Sequence, residues 1–313
     1  MTASPEIEVR PALPGEARRA LDLVTPAAAG PASEDALLYA NLGHLVVAAR
    51  AGAYVGLCAF IPNVGRCAAL LPPRLVEWDE ALAARLIRAA AREAHRRAGA
   101  LLVQALLDPD GPPSVPAAYE GAGLERLATL VYMRRPVSPD DRRLPSDREL
   151  EWKPYGRLRH REFARTIEAT YEATHDCPRL AGLRSVADAI ATHRSTGTFS
   201  PRAWHVARLE SRAVGVELVN NLQGRGELVY LGVVADARRR GIGRALLVRA
   251  IRDTADMGLP QMGLAADAAN TPALHLYEGM GFKEVRRRAA WFVPKEGLAA
   301  LAAGADAASP TGS

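Results

Sequence analysis

Twice along this chain a short helical segment ending in Tyr-Glu-Gly runs into a strand, as AAYEGAGLERLATLVYMRRP from Ala117 and as HLYEGMGFKEVRRRAAWFVP from His275. Tyr119 and Tyr277 stand 158 positions apart, about half of the 313 residues. Self-similarity at such a period implies two diverged copies of one fold. Apolar periodicity gives both halves the same string of elements. In the first, EIEVRPA is a strand, Gly15 to Val24 and Ser33 to Leu42 are helical, and HLVVAARAG, AYVGLCAFI and CAALLP are successive strands. A long amphipathic helix from Asp79 to Ala98, the strand ALLVQALLD and a short helix from Ser114 to Glu120 follow. In the second, the strand RELEWKP precedes helices at His160 to Thr174 and Ser185 to His193, then the strands WHVARLE, AVGVELVNN and ELVYLGVV. Helix Gly241 to Met257, strand QMGLAADA, helix Thr271 to Tyr277 and strand VRRRAAWFV complete it. VSPDDRRLPSD, rich in Pro, Asp and Ser, reads as the connection. The expected division is therefore residues 1–137, a linker at 138–147, a second domain at 148–296 and a frayed tail at 297–313.

Composition removes several classes of function. Hydrophobic residues make up 49% and charged residues 24%, enough for sizeable cores and unlike a disordered chain. The longest apolar stretch, Ala98 to Leu107, falls short of the roughly 18 residues of a bilayer span. The opening MTASPEIEVR has no apolar signal core, so the expectation is a cytoplasmic protein with no membrane partner. Cys58, Cys67 and Cys177 form no C-x-x-C pair and no ligand cluster is visible, so no metal is expected. Arginine carries nearly all of the positive charge behind the net +5, because Lys153, Lys283 and Lys295 are the only lysines. With acidic residues interspersed and aromatics at 5%, this excess implies mild attraction for anions and no nucleic-acid partner.

Between Glu227 and Ala250, ELVYLGVVADARRRGIGRALLVRA passes from strand to helix periodicity through a basic, glycine-containing turn. Gly241 and Gly243 allow close backbone approach, and the first-turn N–H groups and helix dipole favour negative charge. Arg238, Arg239, Arg240 and Arg244 add positive charge, so a phosphate or pyrophosphate fits best. Neither G-x-x-x-x-G-K-[ST] nor a complete G-x-G-x-x-G is present.

The run Arg238-Arg239-Arg240-Gly241-Ile242-Gly243 resembles the Q/R-x-x-G-x-G/A motif of the GNAT superfamily of N-acetyltransferases. The likeness extends upstream to an acidic residue on the preceding strand and downstream through N-x-x-A-x-x-L-Y-x-x-x-G-F, Asn270 to Phe282, and covers about Glu149 to Pro294. It implies an α/β (α+β) fold of two tandem GNAT-like domains, each a mixed, mostly antiparallel twisted sheet flanked by helices. It implies acetyl-CoA as co-substrate and an amine acceptor, either a small molecule or a protein amino group. On that resemblance the backbone of Leu231, Gly232 and Val233 on a splayed strand would pair with the pantetheine arm. Arg238, Arg239, Arg240, Gly241, Ile242, Gly243 and Arg244 would hold the pyrophosphate, and Asn270 and His275 would line the other side of the coenzyme.

Direct attack of an amine on a thioester needs a base for the ammonium, a donor for the developing oxyanion and a proton or hydrogen bond for the leaving thiolate. Glu227 is the candidate base, acting through a water; Glu217 in GVELV competes. A backbone N–H near Leu231 would serve the oxyanion, and Tyr277 the thiolate. His175, Asp176 and Arg179, in the loop HDCPRLAG between the first two helices, are weak acceptor-site candidates, and Cys177 there reads as structural. At the matching turn of the first half, CAALLPPRLVEWDEALAARL has neither the glycine pair nor the arginine triplet. Asp79 and Glu80 there would repel a pyrophosphate, and Pro72 and Pro73 remove backbone donors, so the first half is expected to be non-catalytic. The competing reading is a non-catalytic acyl-CoA-binding sensor or scaffold.

Overall fold

The computed structural model describes residues 6–24, 43–174 and 176–303. The helix expected at Ser33 to Leu42 lies outside these described residues. The chain divides into two compact units, Met1–Leu127 with Ala289–Ser313, and Ala128–Arg288. The divisions fall inside two strands and not in the Pro-rich segment expected to be a linker.

In the first unit, β1 (Ile7–Pro11), β2 (Leu45–Arg50), β3 (Ala53–Asn63) and β4 (Cys67–Leu70) form an antiparallel ladder. The two-residue β5 (Arg74–Leu75) adds to β3, and β6 (Leu102–Leu107) joins β4 in parallel. Between β5 and β6 runs α2 (Glu80–Ala98), which follows α1 (Glu16–Val24) in the chain. Its apolar positions recur every three to four residues, so Leu82, Leu86, Ile87, Ala90 and Ala94 all reach the core. Asp79 caps it by accepting from the Leu82 N–H at 3.0 Å, and Gly99, at φ +61°, ends it. The short α3 (Ser114–Gly121) buries Tyr119 completely.

In the second unit, β8 (Glu151–Pro154), β9 (Trp204–Leu209), β10 (Arg212–Leu222) and β11 (Arg225–Val233) are antiparallel neighbours. β12 (Gln261–Asp267) lies parallel to β11, and β7 (Glu125–Pro136) pairs with β12 from Leu130 to Pro136. Helices α4 (His160–Thr170) and α5 (Val186–Ser195) cover one face of this sheet, where Phe163, Ile167, Ile190, Trp204, Val216 and Leu218 form a core. The opposite face carries α6 (Ile242–Asp256) and α7 (Thr271–Gly279), with Val219, Leu228, Leu247, Ile251 and Tyr277 packed together. Burying one such Leu or Phe contributes about 2–3 kcal/mol. The mixed, mostly antiparallel sheets with flanking helices agree with the expected fold class.

Two sequence-based expectations are corrected. The segment read as a linker holds a 3-10 turn, Pro139–Arg143, closed by a capping box between Ser138 and Asp141. Arg135 binds Asp141 at 2.7 Å and Arg142 donates to the Ala255 carbonyl at 3.1 Å, so this segment belongs to the second unit. Its turn-forming composition marks a local cap and not a domain boundary. Residues 297–303 of the segment read as a frayed tail belong to α8 (Lys295–Ala303), which buries Leu298 and Leu301 in the first unit's core; the remainder of that segment lies outside the described residues. β13 (Lys283–Phe292) precedes it, and its last residues, Ala289 to Phe292, pair with β6.

Candidate active site

The hairpin of β10 and β11 builds the site. A bulge shifts their register between Leu218 and Val219, which face Tyr230 and Leu228, leaving Val229 as the extra residue. The bulge resets the alternation of side chains, so that Glu227 and Tyr230 face the same side of the sheet, that of α4 and α5. Their cross-strand partners show this: Asn220, opposite Glu227, donates to the His193 and Thr196 carbonyls at the end of α5, at 2.7 and 2.8 Å. Tyr230 hydroxyl lies 2.5 Å from Thr170 Oγ1 on α4.

Past the bulge, β11 parts from its parallel neighbour. Among the described residues, only Gly226, Glu227 and Leu228 pair with β12, and residues 229–233 keep β10 alone as strand partner. Val234 N–H donates to Val214 O at 3.1 Å, and the alternation of an antiparallel ladder then turns the polar groups of Leu231 and Val233 away from β10. Gly232 points its missing side chain at α4, where an added Cβ would come within 2.7 Å of Thr170 Oγ1. The splayed edge leads to the start of α6. There Arg239, at φ +58°, and Gly241, at φ +79°, adopt left-handed conformations, and Gly241 caps the helix without any side-chain hydrogen bond. The first-turn N–H groups are thus left for an outside acceptor. A Cβ at Gly243 would lie 3.5 Å from Leu276 and 3.8 Å from Val233, so a side chain there would fill the space between strand end and helix.

The arginines of this turn divide the work unequally. Arg239 and Arg240 are exposed. Arg244 is ion-paired with Asp147. Arg238, expected at the pyrophosphate, is instead spent on backbone: it donates to Val233 O at 3.1 Å, Ala173 O at 2.7 Å, Thr170 O at 3.0 Å and Glu172 O at 2.6 Å. It clamps the end of α4 to the end of the splayed strand. Asn270 likewise caps α7, accepting from the Ala273 N–H at 3.4 Å, while His275 is exposed.

Tyr277 is buried near Phe282, with ring centroids 6.0 Å apart. Burial, with a smaller contribution from Asp176, pushes its phenol well above the ordinary range. Asp176 Oδ1 accepts from the Asp267 N–H at 3.0 Å and Asp267 Oδ2 accepts from the Cys177 N–H at 3.3 Å, pinning the loop after α4 to the end of β12. Asp176 is therefore engaged in holding the loop. Burial and these two carboxylates push the Cys177 thiol up to about 12, which suits a structural role. Arg179 is exposed, and His175 lies outside the described residues.

The two candidate bases stand on opposite faces. Glu227 is partly accessible, with Oε2 accepting from Arg225 Nε at 3.1 Å. Glu217 is fully buried beneath α6, 2.7 Å from His205 Nδ1, and Asp253 Oδ2 lies 3.3 Å from the same nitrogen. Arg249 completes that cluster at 3.0 Å from Asp253. Glu217 thus has no path to an acceptor on the α4 side. Sequence alternation placed both glutamates on strands, and their faces differ because Glu227 pairs with Asn220, three residues along β10 from Glu217. The His205 cluster was not anticipated from the sequence, because register and not any motif brings His205, Glu217 and Asp253 together; Arg225, two residues before Glu227, is a local partner that the sequence reading did not single out.

Burial pushes Glu217 up to about 8. Burial would lower His205, but its bonds to Asp253 and Glu217 reverse this and raise it to about 9. Both groups hold protons more tightly folded than unfolded, so their contribution is complete at low pH and is lost as pH rises toward those values. The thermal midpoint is expected to fall between pH 6.5 and pH 9. Melting curves at stepped pH check this, and a constant or rising midpoint would contradict it.

Among the described residues, the strand that parts from its parallel neighbour thus lies beside a helix start that no side chain caps. The family model for the Acetyltransferase (GNAT) family matches residues 167–282. The chain is 31% identical over 209 residues to a mycothiol acetyltransferase of Thermobispora bispora, covering 60% of this chain and 68% of that one. It is 31% identical over 186 residues to the mycothiol acetyltransferase of Thermomonospora curvata, covering 55% and 56% respectively. The chain thus spans little more than half the length of that second relative. Among solved structures, a GCN5-related N-acetyltransferase from Sphaerobacter thermophilus superposes with a TM-score of 0.57 at 17% identity, over 91% of this chain and 95% of that one. The chain belongs to the GNAT acetyltransferase family. Among the described residues no helix is long and apolar enough to cross a membrane.

Proposed function

We propose that this chain is an acetyl-CoA-dependent N-acetyltransferase and that its second unit carries out the transfer to an amine. The observation that supports this most is the parting of β11 from β12 after Leu228, which leaves the outward backbone groups of Leu231 and the N–H of Val233 without a strand partner beside the uncapped start of α6, the Val233 carbonyl being held by Arg238. Leu231 and Val233 would pair with the amides of the pantetheine arm. The N–H groups of Ile242, Gly243 and Arg244, with exposed Arg239 and Arg240, would hold the pyrophosphate. Acetyl-CoA supplies the activated acetyl group.

Glu227, aided by a water, takes the proton from the acceptor ammonium, because only the neutral amine attacks. Arg225 holds the carboxylate in place. The N–H of Leu231 is the candidate donor to the developing oxyanion. Tyr277, protonated at any working pH, gives a hydrogen bond to the departing sulfur.

The two units read as diverged copies, of which the first is non-catalytic. Asp79 fills the helix start that Gly241 leaves open, and Tyr119 is sealed in the core. The relatives' name, mycothiol acetyltransferase, supports acetyl as the group transferred and makes a mycothiol precursor one acceptor to try. Release of coenzyme A with an amine panel, including a mycothiol precursor, tests the function, and acetyl-CoA titration should saturate at one site per chain. Tight binding without turnover on any amine would instead identify a sensor or scaffold, and two equal sites would contradict the silent first unit.

A further inference from the structure

We infer that the acceptor carries an anionic group, a carboxylate or phosphate, a few bonds from the amine that is acetylated; this rests on the N-acetyltransferase reading of the same site. Glu227, Gly263 and Arg134 lie side by side on β11, β12 and β7. Cross-strand neighbours share a face. A Cβ at Gly263 would meet Glu227 Oε2 at 2.9 Å, whereas one at adjacent Gly226 would strike Thr254 of α6 at 2.4 Å. The Glu227 row therefore lies on the face away from α6. Two residues along the same face, exposed Ala265 pairs with Tyr132.

Adjacent strands are about 4.8 Å apart, so Glu227 and Arg134 flank a groove about 10 Å wide. Its floor holds a glycine and an alanine. Its rim is cationic: Arg225 bonds the Glu227 carboxylate, Arg134 is exposed on the far side, and the Arg286 guanidinium stands 5.9 Å over the Tyr132 ring. Three guanidiniums against one carboxylate repel a simple ammonium. An amine that brings its own negative charge is attracted, its ammonium to Glu227 and its anionic group to the arginines across the groove. The paired positions also set a distance between amine and anion, which a neutral acceptor would leave unused.

The test compares amines that differ only in that charge: γ-aminobutyrate with γ-aminobutyramide, and phosphoethanolamine with ethanolamine. Coenzyme A release gives kcat/KM, and calorimetry on the coenzyme A-loaded chain gives binding without turnover. The anionic member of at least one pair is expected to be favoured about tenfold or more, the scale of one charge-assisted contact, with the advantage shrinking at high salt. In an Arg134→Ala, Arg286→Ala double variant the preference should disappear while acetyl-CoA affinity is unchanged. Equal turnover and binding within both pairs, or a preference that survives in the double variant, would overturn the inference. Preferential binding of the anionic amine with no turnover on any amine would leave the groove's selectivity standing and sink the acetyltransferase reading instead.

Discussion

Replacing Tyr277 with Phe should lower kcat by about 10²–10³-fold, the usual cost of removing one preorganised donor to developing charge. The substitution removes a single oxygen from a ring already packed with Phe282, so fold and acetyl-CoA affinity should hold. Because burial raises the phenol far above neutral pH, Tyr277 is always a donor, and its effect should be independent of pH across the working range. Glu227→Gln should cost a similar factor but recover at high pH, where the free amine, with a pKa near 10 for an alkylamine, no longer needs a base. Glu217→Gln, beneath α6, should show no such recovery. Turnover like that of the unaltered chain in both Tyr277→Phe and Glu227→Gln would reject these roles.

Arg238→Ala should destabilise the second unit by about 2–4 kcal/mol, since hydrogen bonds to a charged group are worth about 1.5–3 kcal/mol each and several share one side chain. Four bonds tie the ends of α4 and β11, and the carbonyls of Thr170, Glu172 and Ala173 have no equivalent partner once the guanidinium is gone. Acetyl-CoA binding should weaken too, through a misplaced strand edge. The contrast with Arg239→Ala, Arg240→Ala is diagnostic. Those exposed charges should weaken binding in a salt-dependent way and leave the melting midpoint alone. Thermal melts of both variants, with titrations at two ionic strengths, separate the clamp from the phosphate contacts; an unchanged midpoint in Arg238→Ala would remove the clamp.

Much of this architecture was legible in the amino-acid order. Alternating apolar residues in ELVYLGVV and the three-to-four spacing in GRALLVRAIRDTADM mark a strand and a helix, and the glycines between them mark a close-approach turn. Nothing local reveals what Arg238 does, because three of its four partners lie 65 or more positions earlier, at and just beyond the end of α4. The faces of Glu217 and Glu227 were equally hidden. They follow from the register that sets Glu227 opposite Asn220, an odd number of residues from Glu217, which neither strand discloses by itself. The tail was misjudged because GLAALAA is rich in small residues, yet Leu298 and Leu301 are spaced to dock as a pair.

The central claim is that the donor lies along the open edge of β11 and against the start of α6. Hydrogen exchange with and without acetyl-CoA tests it most directly. The account predicts protection of the amides of Leu231 and Val233 and of residues 242–244, with no protection at the start of α2, where Asp79 already caps the helix. Saturable binding that leaves those amides exchanging freely, or that protects the first unit instead, would contradict it.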